Sequence, residues 1–279
     1  MNLDTICFII IFCFILFIYL HVQFHLKICN DLEIYNFDSV LNYDLNELDK
    51  LRQPMIFMEI SDDILLKFSS VYNMPPDAKF KVDNHKMTLS ELKDSPFYSL
   101  EYGNMTFYKQ HYMKYDNVLK PMGAFQEYDI WTGHNSIVPL RYMFFCRFFI
   151  VPVDKPISVK LTSPDNSNRL HPNENYIDYE FTSDENPWQS EISVKFLEVT
   201  VNPGQYLFVP SYWWFSVRFN ELTNVVCFKY DTIMNSIANI KNHLLHASHI
   251  ASNKNILFND RSVKNKKILE RSKIKNKQK

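Results

Sequence analysis

Val201-Asn-Pro-Gly-Gln-Tyr-Leu-Phe-Val-Pro-Ser-Tyr-Trp-Trp-Phe-Ser-Val217 is the stretch whose reading decides the fold. Pro203-Gly204 makes a turn, because proline presets one backbone angle and glycine accepts a left-handed one. Gln205–Val209 then reads as a strand, Pro210-Ser-Tyr interrupts it, and Phe215–Phe219 reads as the next. Leu207, Val209 and Trp213 alternate as core residues, and the Trp213-Trp214 pair offers a large area for burial. Outward from this stretch, short β-type runs punctuated by Pro and Asn recur. They are Met105–Tyr108, Tyr128–Thr132, Phe144–Val151, Ile157–Thr162, Tyr176–Phe181, Ile192–Val201 and Asn224–Tyr230. Many short strands at this spacing read as a sandwich or barrel.

Helical patterns flank the β region. Leu45–Leu51 reads as a short helix, Pro54–Ile60 as a strand, and Asp62–Tyr72 carries apolar residues at helical spacing. Phe80–Asp83 reads as a short strand, and Thr88-Leu-Ser-Glu91 opens a short helix with a capping box. Asp231–Ser252 places Ile233, Ile237, Ile240, Leu244 and Leu245 on one side of an amphipathic C-terminal helix. The predicted organisation is an anchor over 1–30, a linker over 31–44, one β domain over 45–231, a helix over 232–252 and a basic, disordered tail over 253–279.

Composition narrows the function classes. Apolar residues make up 46% and charged residues 22% of 279, the balance of a globular protein. With four glycines, neither the dinucleotide fingerprint nor the phosphate loop occurs. Five cysteines without a Cys-x-x-Cys pair point to a reducing compartment rather than a disulfide framework. The net charge of −1 is unevenly spread: Lys254–Lys279 holds ten basic and two acidic residues, so the tail is at +8 and the rest near −9. Such a tail suits anionic lipid or nucleic acid, with a merely solvated terminus as the alternative.

Ile6–Leu20 is an unbroken apolar and aromatic run that continues less strictly to Leu26. About 20 residues cross a hydrocarbon core of about 30 Å, and Tyr19, His21 and His25 suit the headgroup region. An uncleaved single-pass membrane anchor over residues 6–26 is the leading reading. A cleaved signal peptide lacks its basic start and small-residue cleavage site, and a buried core helix fits poorly with apolar residues on every face. Lys27 on one side and Asp4 on the other place the body on the cytoplasmic side by the positive-inside tendency. The sequon Asn104-Met-Thr106 is too short a signal to argue otherwise.

A second specific stretch is Asp129-Ile-Trp-Thr-Gly-His-Asn-Ser-Ile-Val-Pro-Leu-Arg-Tyr-Met143. Together the two stretches resemble the JmjC and cupin-like (cupin-8) family of 2-oxoglutarate oxygenases. There the first reads roughly W-x-G-x-x-x-x-T-P-L-H-Y-D and the second P-G-D-x-L-F-I-P-x-G-W-W-H. Pro54-Met-Ile-Phe and Met87-Thr-Leu-Ser-Glu-Leu92 fit the family's N-terminal strand and helix, so the resemblance spans about Leu45 to Asp231. It implies a mainly β fold, a double-stranded β-helix (jelly-roll) with flanking helices. Pro-Leu-Arg-Tyr, Asn186-Pro-Trp188 and Tyr-Trp-Trp are similar in particular to the cupin-like proteins of large DNA viruses.

The family would use Fe(II) and 2-oxoglutarate, with iron held by two histidines and a carboxylate. A His-x-Asp pair on one strand shares a face because side chains alternate. The corresponding positions here are Arg141, Met143 and Phe215. Arginine has no lone pair to give, methionine is a soft thioether, and phenylalanine offers nothing. No cofactor is therefore expected. The family's lysine for 2-oxoglutarate falls near Ile157, leaving Lys155, on Ile157's strand face, and Lys160 as candidates. Tyr142, Met143, Phe145, Trp214 and Phe215 are expected to form and fill the vestigial pocket. His111, His134, His171 and Glu174 lack ligand spacing, and His243, His246 and His249 drift around the last helix and read as solvated.

Three functions stay open at this point. The first is a membrane-anchored, non-catalytic interaction or structural module, a homodimer through the C-terminal helix being the implied assembly. The second is an oxygenase, a hydroxylase or demethylase, with an atypical site. The third is a small-anion or sugar-binding cupin anchored by Arg141, whose charge otherwise needs an internal carboxylate.

Overall fold

The structure is a computed structural model that describes residues 3–59, 79–82, 85–88, 97–100, 113, 115–176, 180–189 and 192–252. The helix expected over Asp62–Tyr72, the strand at Met105–Tyr108, the capping-box helix, His111, the sequon and the basic tail lie outside the described residues. By compactness the chain divides into Met1–Asn173 with Phe181–Ala238, and Glu174–Glu180 with Asn239–Lys279.

In the first unit, α1 (Leu3–Leu26) takes up the apolar run as 24 helical residues. It is long and apolar enough to cross a membrane. The segment read as a linker is partly structured: β1 (Tyr35–Ser39) lies parallel to β2 (Met55–Glu59), pairing Tyr35 with Met55 and Phe37 with Phe57. The short helix α2 (Leu45–Leu48) begins where the Asp44 carboxylate accepts from the Asn46 N–H at 2.8 Å. A 3₁₀ turn, Asp49–Leu51, ends it at Arg52, whose φ of 55° is left-handed.

The remaining strands are β3 (Lys79–Val82), β4 (His85–Thr88), β5 (Phe97–Leu100), β6 (Ala124–Gly133), β7 (Ser136–Ile137), β8 (Arg141–Tyr142), β9 (Arg147–Pro152) and β10 (Ile157–Thr162). They continue with β11 (Asn173–Asn175), β12 (Glu180–Thr182), β13 (Leu197–Val201), β14 (Tyr206–Val209), β15 (Trp214–Phe219) and β16 (Thr223–Thr232). One sheet runs β1-β2-β14-β9-β16-β6-β5-β3-β4 and the other β11-β12-β8-β15-β10-β13, with β7 beside β15. Apart from β1 with β2, the registered pairs are antiparallel. The architecture is mainly β, with two sheets, flanking helices and an N-terminal apolar helix.

Side-chain alternation distributes the core. Phe148, Ile150, Leu207, Val209, Val225 and Cys227 of the first sheet join Ile157, Val159, Leu161, Phe215 and Val217 of the second in one buried cluster between the sheets. The intervening residues Phe149, Val151, Tyr206, Phe208, Val226 and Phe228 bury the first sheet's other face together with Leu45, Tyr115 and Leu119. Strands β9 and β14 are thus buried on both faces, which explains their continuous apolar sequences. Each large side chain so buried contributes about 1.5–3 kcal/mol of transfer free energy. At Gly133 a side chain would collide with the Phe219 ring, so this glycine is required for the close approach of β6 and β15.

Continuing from β16, α3 (Ile233–Ala238) is fixed by buried Asn235, whose amide donates to the Phe144 carbonyl at 2.7 Å. The expected C-terminal helix breaks at residue 239 and resumes over 240–252. In the second unit the His249 ring stacks on Tyr176 at 5.9 Å, and the His246 ring hydrogen-bonds the Tyr176 carbonyl. These two histidines, read as solvated, are engaged because Tyr176 lies against the helix.

Candidate functional site

The site grows from the ladder between β8 and β15, in which Arg141 pairs directly with Phe215. Cross-strand partners share a face, so both side chains point toward the first sheet. Phe215 is fully buried, stacks on Trp131 at 6.4 Å with a 10° interplanar angle, and packs on Phe148 at 5.3 Å. The Arg141 guanidinium lies 6.0 Å from the Trp131 ring centroid, within cation–π range. Met143, two residues along, packs on the same buried cluster. Its carbonyl accepts from the Tyr212 N–H at 2.9 Å, fixing the turn before Trp213.

The facing wall is built by β6 and β16, whose register pairs Trp131 with Val225, Asp129 with Cys227 and Glu127 with Lys229. Asp129, Trp131, Cys227 and Lys229 therefore share the inner face. The Asp129 carboxylate accepts from the Trp131 indole at 2.8 Å and from the Lys229 ammonium at 3.3 Å. Burial alone would depress the Lys229 ammonium, but the carboxylate of Asp129, with Cys227 and Glu127, outweighs it and holds Lys229 above its ordinary value. The Lys229 ammonium also sits 5.7 Å from the Phe145 ring centroid. Cys227 is fully buried, and burial pushes its thiol well above the ordinary range. Arg141, Asp129 and Lys229 thus form a polar strip along an otherwise aromatic and aliphatic interior.

Two residues expected in the pocket lie elsewhere. Tyr142 and Trp214 flank Arg141 and Phe215 in sequence, so the two-residue period turns them to the sheet's outer face. There they pack on each other at 4.7 Å, beside Leu140, Leu170 and Val194, and the Trp214 indole donates to Ser167 at 2.9 Å. Neither lysine candidate faces the inter-sheet space. Lys155 precedes β10, is exposed, and lies 3.7 Å from Glu221, so it does not share Ile157's inward face. Lys160 is opposite Ser216 on the outer face, 3.5 Å from Glu198, and donates to the Pro187 carbonyl at 3.1 Å. His134, His171 and Glu174 are exposed. Among the described residues no group of three His, Cys, Asp or Glu side chains is arranged to hold a metal.

No family model matches the chain, and no curated protein matches it. Function must be read from the residues themselves. Arg141, Met143 and Phe215 border the same interior, and as a donor set they do not fit Fe(II): a permanent cation, a thioether and a hydrocarbon ring offer it no oxygen or nitrogen lone pair. Sequence reasoning missed Asp129 and Lys229. The signal was present in the alternation Asp129-x-Trp131 and Cys227-x-Lys229, which places each charge on the face of a large core residue.

Proposed function

We propose that the chain is a membrane-anchored, non-catalytic module with the double-stranded β-helix fold of JmjC and cupin-like proteins, serving as an interaction or structural unit. The strand order supports the fold. Numbering β6, β8, β9, β10, β13, β14, β15 and β16 from one to eight, the sheets contain the orders 1-8-3-6 and 2-7-4-5. That is the order produced when a folded-over hairpin winds into two sheets. The length and apolar surface of α1 support the anchor.

The observation that carries the non-catalytic reading is Phe215, fully buried and packed between Trp131 and Phe148 where an oxygenase of this class needs a histidine. The proposal is tested by metal analysis of the full chain purified in detergent after loading with Fe(II). Substoichiometric iron is expected; one tightly held iron per chain would overturn it. Exposed Ile240 and Leu244, one helical turn apart, support a homodimer through the helix at 240–252. Light scattering should show a dimer that Leu244→Glu dissociates.

A further inference from the structure

A cavity of about 560 Å³ opens between the end of α1 and the β body. Its size falls in the range of small-molecule sites, roughly 300–1,000 Å³. The walls are mostly apolar: Leu20 and Phe24 from α1, Met122 and Cys146 from the body, and Met234 from α3. Three charged residues also line it: Arg147, 3.7 Å from the Asp49 carboxylate, and Lys50, whose ammonium meets Glu47 at 2.6 Å. Arg147 is held in place by hydrogen bonds to the Leu119 carbonyl at 3.0 Å and to the Asn46 side chain at 2.7 Å. His25 lines the same cavity, is only 8% exposed, and its Nδ1 has no hydrogen-bond partner among the described residues. A buried polar atom left unsatisfied destabilises the fold, so a ligand that reaches it gains that interaction.

The position along α1 selects the ligand. At 1.5 Å per residue its 24 residues measure about 36 Å, against a hydrocarbon core of about 30 Å. With α1 spanning a bilayer, only about four residues extend beyond the core, so the last turn, from Gln23 to Leu26, reaches headgroup level while Leu20 stays at acyl-chain depth.

From this geometry we propose that the cavity binds a membrane phospholipid, an acyl chain against the apolar walls and the phosphate–glycerol region against His25 and the Lys50–Arg147 edge. The site rests on the anchor reading of α1.

The test uses the full chain in nanodiscs containing phosphatidylcholine with an acyl-chain diazirine. Photolysis should label peptides carrying Met122 and Met234, which lie outside α1. Met234→Trp, which fills the cavity, and His25→Phe, which removes the polar partner, should each lower that labelling roughly tenfold, the effect of losing one such interaction, while α1 labelling stays constant. Labelling confined to α1, or unchanged in both variants, overturns the site. Equal labelling by a diazirine fatty acid without phosphate overturns the phospholipid assignment. Carbonate extraction separates the two readings: release of the chain overturns the anchor and the lipid site together, whereas retention with no body labelling overturns the site alone.

Discussion

Arg141 stands directly opposite Phe215 across the β8–β15 ladder, so a permanent cation and a fully buried ring share one face of the sheet. The ring belongs to the apolar cluster between the sheets, and the cation rests beside Trp131 of the same cluster. Truncating the ring leaves a void bounded by Trp131 and Phe148. Phe215→Ala should cost about 3–5 kcal/mol, read as a lowered urea midpoint for the detergent-solubilised chain.

A packed interior also predicts what small anions do. Millimolar 2-oxoglutarate, malonate or a sugar phosphate should leave the melting temperature unchanged. A stabilisation present in the native chain and lost in Arg141→Ala would establish instead that the Arg141 strip binds anions.

Two buried tyrosines should behave oppositely. The Tyr206 hydroxyl has no hydrogen-bond partner among the described residues, whereas Tyr230 donates to Asp116 at 2.9 Å. Tyr206→Phe should be neutral or stabilising, and Tyr230→Phe should cost about 1.5–3 kcal/mol at neutral pH. Burial pushes both phenols up, with Asp116 adding to the effect on Tyr230. A phenol raised in the fold contributes full stability below its ordinary value of 10.0 and loses it as pH rises beyond that. Either variant should therefore flatten the alkaline limb of stability against pH.

Arg52 combines a left-handed backbone with a structural side chain. It bonds Asp49 at 3.1 Å and the Phe24 carbonyl at 3.2 Å, and its own carbonyl accepts from the Trp213 indole at 3.1 Å. Arg52→Ala and Arg52→Gly both lose the side-chain bonds, but only alanine keeps the strain. Glycine should be the more stable by about 1 kcal/mol in matched thermal melts.

Thiol chemistry should be uneven. Burial pushes the Cys146 thiol up to about 12 and Cys227 well above its ordinary range, while Cys29 is half-buried. Maleimide at neutral pH should modify Cys29 and spare Cys146 and Cys227 until denaturant is added, as resolved by peptide mass spectrometry. Modification of Cys227 in the native chain would contradict a filled interior.

Two strands were legible for different reasons. Ile157–Thr162 matches β10 residue for residue because Ile157, Val159 and Leu161 alternate with polar residues, and Gln205–Val209 overlaps β14 because its apolar run sits between turn residues. The edge strand β1 was not legible: it lies in an acidic segment, and its pairing with β2 depends on residues about 20 positions away. The face of Arg141, Met143 and Phe215 followed from alternation, and the same rule, applied consistently, would have excluded Tyr142 and Trp214. Asp129 and Lys229 were hidden because a charge inside a strand gives no local sign of its partner, and theirs is 100 residues away.

Between the end of α1 at Leu26 and the start of β1 at Tyr35 lie only eight residues, which even fully extended reach about 30 Å. With α1 in a bilayer, as proposed, this tether is too short to lift the β body clear of the lipid surface by more than its own diameter. Anything the body engages must work in the thin layer beside the membrane. Its effective encounter is two-dimensional, with neighbours that share that surface favoured over molecules dissolved in bulk.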